Sequence, residues 1–439
     1  MSASTSKDGR DIGEQARAWI EQNWDLDLTL REWWARLAAA GYAFPTWPEG
    51  FGGSSMSAGE GRQVARALAD AGVIGPPSGV GQTMGGPTVL AHGTDEQKAT
   101  LVPALADGTE AWCQLFSEPS AGSDLAGLRT SVVADGDEWV VSGQKVWNSG
   151  AHLADRGLLL ARTDPTVPKH QGLSFFVIDM DQPGIEARPL RQMNGEAEFC
   201  EVFITEARIP GDRVIGGLGE GWRVAQTTLA YERAGVSSGG TRGAINSFPG
   251  RAAGMLERRV GEILEEAAKT ARRKVTGFVV NNRAMLELAR SHDRDEDALA
   301  RQELARFKSM TEVNRFNGLR AKAASARGER PGGEASVGKL AMSDIAKASR
   351  DLTFSLMGAH GMLADDDAPD DGSYHKVALA SFGAGMGGGT DQIQRNIIGE
   401  RALGLPREPA VDRDIPFSDI PVSGGGRPST STEERRDDD

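Results

Sequence analysis

The sequence predicts an α+β chain of three parts: a helical domain over residues 1–112, a central β domain over 113–215 and a second helical domain over 216–410. A tail, 411–439, is expected to be disordered. Three observations carry this division. Apolar residues recur three and four apart up to about residue 112, short β-type runs replace them up to about residue 215, and helical spacing then returns.

In the first part IGEQARAWIEQNW, LREWWARLAAAG and AGEGRQVARALADAG read as amphipathic helices, with Gly closing the second and third. FPTWPEGFGG (44–53) is a loop punctuated by Pro and Gly. In the second part TSVVADGDEWVVSG places two β-type runs around Asp135-Gly136-Asp137, a hairpin signal. GLLLAR (157–162), LSFFVIDM (173–180) and CEVFITEARI (200–209) follow at the spacing of an all-β unit. The third part is interrupted by ARGERPGGEAS (326–336) and the acidic loop ADDDAPDDGS (364–373). The tail is rich in Asp, Pro, Ser and Gly, a composition that buries little apolar surface.

Composition narrows the partners. The 439 residues carry 49 Lys plus Arg against 62 Asp plus Glu, a net charge of −13, which argues against nucleic acid or an anionic membrane as partner. A polyanionic small substrate remains compatible where Arg or Lys gathers locally. Cys113 and Cys200 are too few for a disulfide framework and suit a reducing, cytoplasmic setting. The six histidines lack metal-ligand spacing, so no metal site is expected. The N-terminus lacks an apolar signal-peptide core, and no run approaches the roughly 18 apolar residues of a membrane span.

Four segments could carry chemistry. LFSEPSAGSD (115–124) is a polar loop after a β-type run; its N–H groups and the Ser117 and Ser123 hydroxyls suit a polar ring or a phosphate, or form an ordinary turn. QKVWNSG (144–150) offers Trp147, Asn148 and Ser149 at another strand end, where Trp147 alone reads equally as core. In GWRVAQTTLAYERAGVSSGG, Trp222, Ala225, Leu229, Glu232 and Val236 step by three and four along one helix face. Glu232 therefore lies on the apolar stripe. Desolvation there raises a carboxyl pKa toward that of a general base, unless the stripe end is exposed or Arg233 pairs with it. In FGAGMGGGTDQIQRNIIGE, Gly383, Gly385 and Gly388 match GxGxxG but follow no good strand, so the run reads as a flexible lead into a helix starting near Thr390.

These pieces, together with FPTWPEGFGG, CQLFSEPSAGSDLAGLRT, DEWVVSGQKVWNSGAHLADRGLLLARTDP, GEAEFCEVFITEARIP, GEGWRVAQTTLAYER, MGAHGM and GGTDQIQRNIIGERALGLPREP in that order, resemble the acyl-CoA dehydrogenase family of flavoproteins over residues 44–409. The resemblance implies an N-terminal helical domain, a central β-barrel or sandwich and a C-terminal four-helix bundle, with FAD between them. It implies FAD contacts from Gln114 through Ser123, among them Phe116, Ser117 and Gly122, from Trp147, Asn148 and Ser149, and from Thr390, Asp391, Gln392, Ile393 and Gln394. Ser123 and Arg233 would lie on the substrate side.

Most members of the family carry the catalytic glutamate two residues before the threonine of the GGT-like element, where this chain has Gly388; a minority carry it at the position of Glu232. The implied reaction is α,β-dehydrogenation of an acyl-CoA to a trans-2-enoyl-CoA. Glu232 would be the α-proton base, the flavin the hydride acceptor and the Gly388 N–H a donor to the thioester oxygen. Electron-transferring flavoprotein or a similar acceptor would reoxidise the flavin, in a homo-oligomer (dimer or tetramer) or a hetero-oligomer. Two further readings stay open: a flavin oxidase or monooxygenase on the same fold, and a catalytically silent subunit of a hetero-oligomer. The family's arginine–phenylalanine–glycine element has only a loose echo in RRKVTGF (272–278), and residues 245–275 are irregular for the family.

Overall fold

The computed structural model describes residues 11–237, 249–270, 277–327, 333–363, 367–407, 409 and 412–421. The N-terminal part holds α1 (Ile12–Asn23), α2 (Leu30–Ala39), α3 (Ala58–Asp70), α4 (Gly86–His92), α5 (Asp95–Leu101) and α6 (Pro103–Ala106). Capping boxes start α2 and α3, Thr29 with Glu32 and Ser57 with Glu60, each satisfying N–H groups that a helix start leaves unpaired. The adjacent Trp33 and Trp34 are fully buried, and their indoles donate to the Ile74 and Gly75 carbonyls at 2.7 and 2.9 Å.

The β domain is one curled seven-stranded sheet: β1 (Trp112–Leu115), β2 (Ser131–Asp135), β3 (Glu138–Ser149), β4 (Arg156–Arg162), β5 (Leu173–Asp179), β6 (Ile185–Pro189) and β7 (Phe199–Pro210). Its order is β1-β4-β2-β3-β7-β6, with β5 on β4. The hairpin read from the sequence is present: Asp135 pairs with Glu138, and Gly136 at φ +63° makes the turn. The runs GLLLAR and LSFFVIDM are apolar without alternation because both faces of β4 and β5 are covered. Leu158, Leu160, Phe175 and Val177 face one core, shared with the N-terminal helices and α7 (Gly221–Ser237), whereas Leu159, Ala161, Phe176 and Ile178 face the core inside the curl.

After α7 come α8 (Val260–Thr270), α9 (Asn282–Ser291), α10 (Ala298–Ala326), α11 (Glu334–Met357), α12 (Ser373–Ala380) and α13 (Asp391–Ile397). The bundle is built on α7, α9, α10 and α11, and α8 stands apart from it. Leu256, Val260 and Ile263 join the core of Leu30, Trp33 and Leu37, and Val260 N–H donates to the Leu28 carbonyl at 2.9 Å. The span 216–410 is thus not one packing unit, and residues 249–270, irregular in the sequence reading, belong with the N-terminal helices. Of RRKVTGF, residues 272–276 lie outside the described residues.

The tail expectation also needs correction for residues 412–421. Phe417 N–H donates to the Val167 carbonyl at 3.0 Å, and Ser418 N–H to that of Pro165 at 2.9 Å. Lys169 Nζ binds both Asp124 oxygens at 3.0 Å and Asp412 at 2.6 Å. The Phe417 ring covers the buried Arg162 guanidinium, 3.4 Å from the ring centroid. A strap held by pairings 243 or more residues away in sequence leaves no compositional trace. A desolvated cation–π contact contributes about 2 kcal/mol, so Phe417→Ala should lower unfolding free energy by about 1–2 kcal/mol in urea. An unchanged midpoint would show that the strap does not bind.

Candidate active site

Helix α7 leaves the sheet with Ala225 fully buried and Trp222 and Leu229 packed on the same core. The next position on that face is Glu232; the Val236 side chain lies outside the described residues. Burial pushes the Glu232 carboxyl pKa up, against weaker opposing pulls from the Gln114 amide, Arg233 and the Gly388 N–H. Gln114, near the end of β1, donates through Nε2 to Glu232 Oε2 at 3.4 Å. Arg233 is itself half-buried, with its pKa lowered by burial and by Arg401 but raised by Glu232.

Residue 388 addresses the same point from the other side. A side-chain carbon built on Gly388 would lie 3.8 Å from Glu232 Oε1, and Gly388 sits at φ +67°. The left-handed backbone disfavours any larger residue by roughly 1–2 kcal/mol, so glycine both fits the turn and leaves room for the carboxylate arriving from α7. The Gly388 N–H exerts the weakest of the pulls that lower the Glu232 pKa. The Gly388 carbonyl accepts from Gln394 Nε2 at 2.9 Å.

Two buried acceptors at this junction, Asn148 Oδ1 and Gln394 Oε1, have no hydrogen-bond partner among the described residues. Asn148 is fixed by donating to the Gln114 carbonyl at 2.6 Å, which ties the ends of β1 and β3 together. Beside it Trp147 sits in a bulge of β3 against β7, at φ +64°, and is 62% exposed. A bulky residue at positive φ costs on the order of 1–3 kcal/mol. Unsatisfied buried acceptors and an exposed, strained indole fit a polyhydroxylated, flat heterocyclic group such as FAD.

The structure thus brings Gln114, Asn148, Glu232, Gly388 and Gln394 together. Ser123, Ser149 and Gln392 are exposed, Gly122 faces open space, and Thr390 caps α13 by accepting from Ile393 N–H. Phe116 lends no side chain to the site: it is buried edge-on to Phe175 at 5.8 Å. Asp391 turns inward to Lys339 and Lys347, at 3.2 and 2.9 Å.

Sequence reasoning missed Glu118 and Lys145, both inside segments it had singled out. Lys145, fully buried, donates to Glu118 Oε1 at 2.9 Å and to the Phe116 and Leu160 carbonyls. Glu118 also accepts from the Arg129 and Thr130 N–H groups at 2.7 and 2.8 Å. Burial works against this carboxylate, but Lys145, Thr130 and Arg129 outweigh it and hold its pKa below the ordinary value. The pair anchors the loop that follows β1, and no local pattern couples residues 27 apart.

A desolvated carboxylate where a curled sheet hands over to a helical bundle, beside buried acceptors suited to a flavin, is an arrangement that a flavin-dependent oxidoreductase requires. The chain belongs to the acyl-CoA dehydrogenase family: it matches that family's N-terminal domain over residues 10–109, its middle domain over 113–207 and its C-terminal domain over 281–403. It is 36% identical over 384 residues to acyl-CoA dehydrogenase IpdE1 of Mycobacterium tuberculosis (strain ATCC 25618 / H37Rv), covering 86% of this chain and 88% of that protein. Its fold is similar to the Tcur3481-Tcur3483 steroid ACAD, with a TM-score of 0.65 and 25% identity over 93% of this chain and all of that one. The ChsE4-ChsE5 complex from Mycobacterium tuberculosis matches with a TM-score of 0.64 at 25% identity, over 93% of this chain and 100% of that one. The protein is an FAD-dependent oxidoreductase of acyl-CoA dehydrogenase type. No helix among the described residues is long and apolar enough to cross a membrane, and they contain no cluster of three or more His, Cys, Asp or Glu able to hold a metal ion.

The raised Glu232 pKa has a consequence for stability. A carboxyl that is a weaker acid in the folded chain favours folding while protonated and loses that contribution as pH rises through its folded pKa. Glu232→Gln should therefore melt higher than the parent at pH 8, with the two curves converging near about pH 4. A variant that melts lower at pH 8 would show that the ionised carboxylate is well paired.

Proposed function

We propose that the protein dehydrogenates the acyl group of a CoA thioester between its α and β carbons, with Glu232 removing the α-proton. The observation that carries this reading is the placement of Glu232 at the end of a buried stripe and within 3.8 Å of where a side chain on residue 388 would begin. Two backbone routes converge on one spot, and this chain supplies the carboxylate from α7. Bound FAD supplies the two-electron acceptor for the β-hydride. Asn148 Oδ1 and Gln394 Oε1 would hold it through their free acceptor positions, with Trp147 beside it.

A thioester α-proton is weakly acidic, so the base must be both desolvated and kept ionised enough to accept it. Burial raises the proton affinity of Glu232, while the Gln114 amide, Arg233 and the Gly388 N–H restrain the rise, and the Gln114 amide orients the carboxylate. Positioned bases of this kind contribute about 10²–10⁴-fold. Arg233, beside Glu232 on α7, supplies positive charge on the substrate side of a chain whose net charge is −13.

The substrate class we infer is a CoA thioester with a bulky, ring-bearing acyl group, which the likeness to a steroid ACAD supports. Likeness to two-protein assemblies, Tcur3481-Tcur3483 and ChsE4-ChsE5, favours a hetero-oligomer over a homo-oligomer for this chain. Electron-transferring flavoprotein or a similar acceptor would then reoxidise the flavin.

Anaerobic titration of the purified flavoprotein with a panel of CoA thioesters tests the reading. Bleaching of the oxidised-flavin absorbance by ring-bearing thioesters, at least about tenfold more effective than straight-chain ones, is the expected result; a methylene-scale misfit already changes rates by that factor. Bound flavin that no thioester bleaches would overturn the dehydrogenase reading for the isolated chain.

A further inference from the structure

The glycine run between α12 and α13 carries Gly388, yet its neighbours offer few side chains to hold it in place. Its two ends are instead tied to one helix, α11. At the first end Ser343 Oγ donates to the Ala384 carbonyl at 2.8 Å. At the second, Asp391 accepts from Lys339 Nζ at 3.2 Å through Oδ1 and from Lys347 Nζ at 2.9 Å through Oδ2. Lys339 joins the two, because its ammonium also donates to Ser343 Oγ at 3.3 Å. Lys339 is 2% exposed, Ser343 1% and Asp391 6%, whereas Lys347 remains largely open to solvent.

An ammonium withdrawn from water to this degree is costly unless its donors are used on fixed partners. Here they bridge the two ends of the run. Burial opposes ionisation of Asp391, but hydrogen bonds from Lys347, Ser343 and Lys339 and the Lys339 charge hold its carboxyl down at about 2. Between the tied ends, Gln394 grips the Gly388 carbonyl at 2.9 Å. The run is thereby held at Ala384 and Asp391, and at the Gly388 carbonyl between them.

Resting on the reading of Glu232 as base, we propose that Lys339 is a positioning residue, holding the glycine run through Asp391 and Ser343 so that the backbone at residue 388 stays beside the Glu232 carboxylate. Its influence on the reaction passes through a backbone donor, so it should alter the chemical step more than thioester binding. Misplacement of a reacting group by about 1 Å costs on the order of 10²-fold.

Hydrogen–deuterium exchange of the flavin-loaded protein, read peptide by peptide, tests this without any turnover. Lys339→Met keeps the chain length and removes the charge. Exchange across residues 383–395 should quicken by about tenfold or more while residues 298–326 of α10 keep the parental rate. Asp391→Asn should reproduce the pattern. Flavin reduction by a thioester that bleaches the parent should fall about tenfold or more, with KM within about threefold. The pH profile of reduction should move to a higher apparent pKa, since Gln114 and Arg233 would then face Glu232 without the Gly388 N–H. Unchanged exchange at 383–395, or faster exchange spread evenly over the bundle, would overturn the proposal. Should Lys339→Met not fold, Lys347→Met removes only the solvent-facing arm, and a parental profile in that variant would count against the clamp. A parent flavin that no thioester bleaches would sink the dehydrogenase reading alone, because the exchange pattern decides the clamp independently.

Discussion

The site depends on one carboxylate kept at the end of an apolar stripe. Glu232 follows Ala225 and Leu229 on the face by which α7 packs against the sheet, so water is displaced by the same contacts that dock the helix. That coupling gives the carboxyl its raised proton affinity and makes that affinity a product of packing. The opposing donors come from elsewhere in the chain: Gln114 from β1 and the Gly388 N–H from the run before α13. A small change in the docking of any one of the three elements changes the acidity of the group they share.

The rest of the molecule keeps those three elements in register. Strands β4 and β5 bury both faces, one against the N-terminal helices and α7 and the other inside the curl, which fixes the sheet edge from which Gln114 reaches Glu232. The Glu118–Lys145 pair fastens the loop after β1, and Asn148 ties β1 to β3. Beyond the sheet, α8 returns to the N-terminal core, and the strap at 412–421 closes over Arg162. The two helical regions are thus linked by packing as well as by sequence.

What could be read from the sequence divides along a physical line. Features set by local spacing were legible: the stripe carrying Glu232, the hairpin at Gly136 and the helix capped by Thr390. The order of seven segments added the family and its cofactor, which periodicity alone could not supply. Features set by contacts between distant residues were not legible. Nothing near Lys145 announces Glu118, nothing near Lys339 announces Asp391, and the short strand Ile185–Pro189 lacks the apolar signal of its neighbours because it is half-exposed at the sheet edge. Two expectations failed for one reason. Residues 249–270 and 412–421 were placed by sequence neighbourhood, whereas their apolar and charged partners lie in other domains.

The claim that Glu232 is the proton acceptor is tested most directly by rapid mixing of flavin-loaded Glu232→Gln, under anaerobic conditions, with a thioester that bleaches the parent. The amide preserves shape and hydrogen-bonding capacity but cannot accept the proton. Retained flavin, retained thioester binding and flavin reduction slowed by about 10²-fold or more are the result this account predicts. Reduction at a rate near the parent's would contradict it and would place the base on another residue.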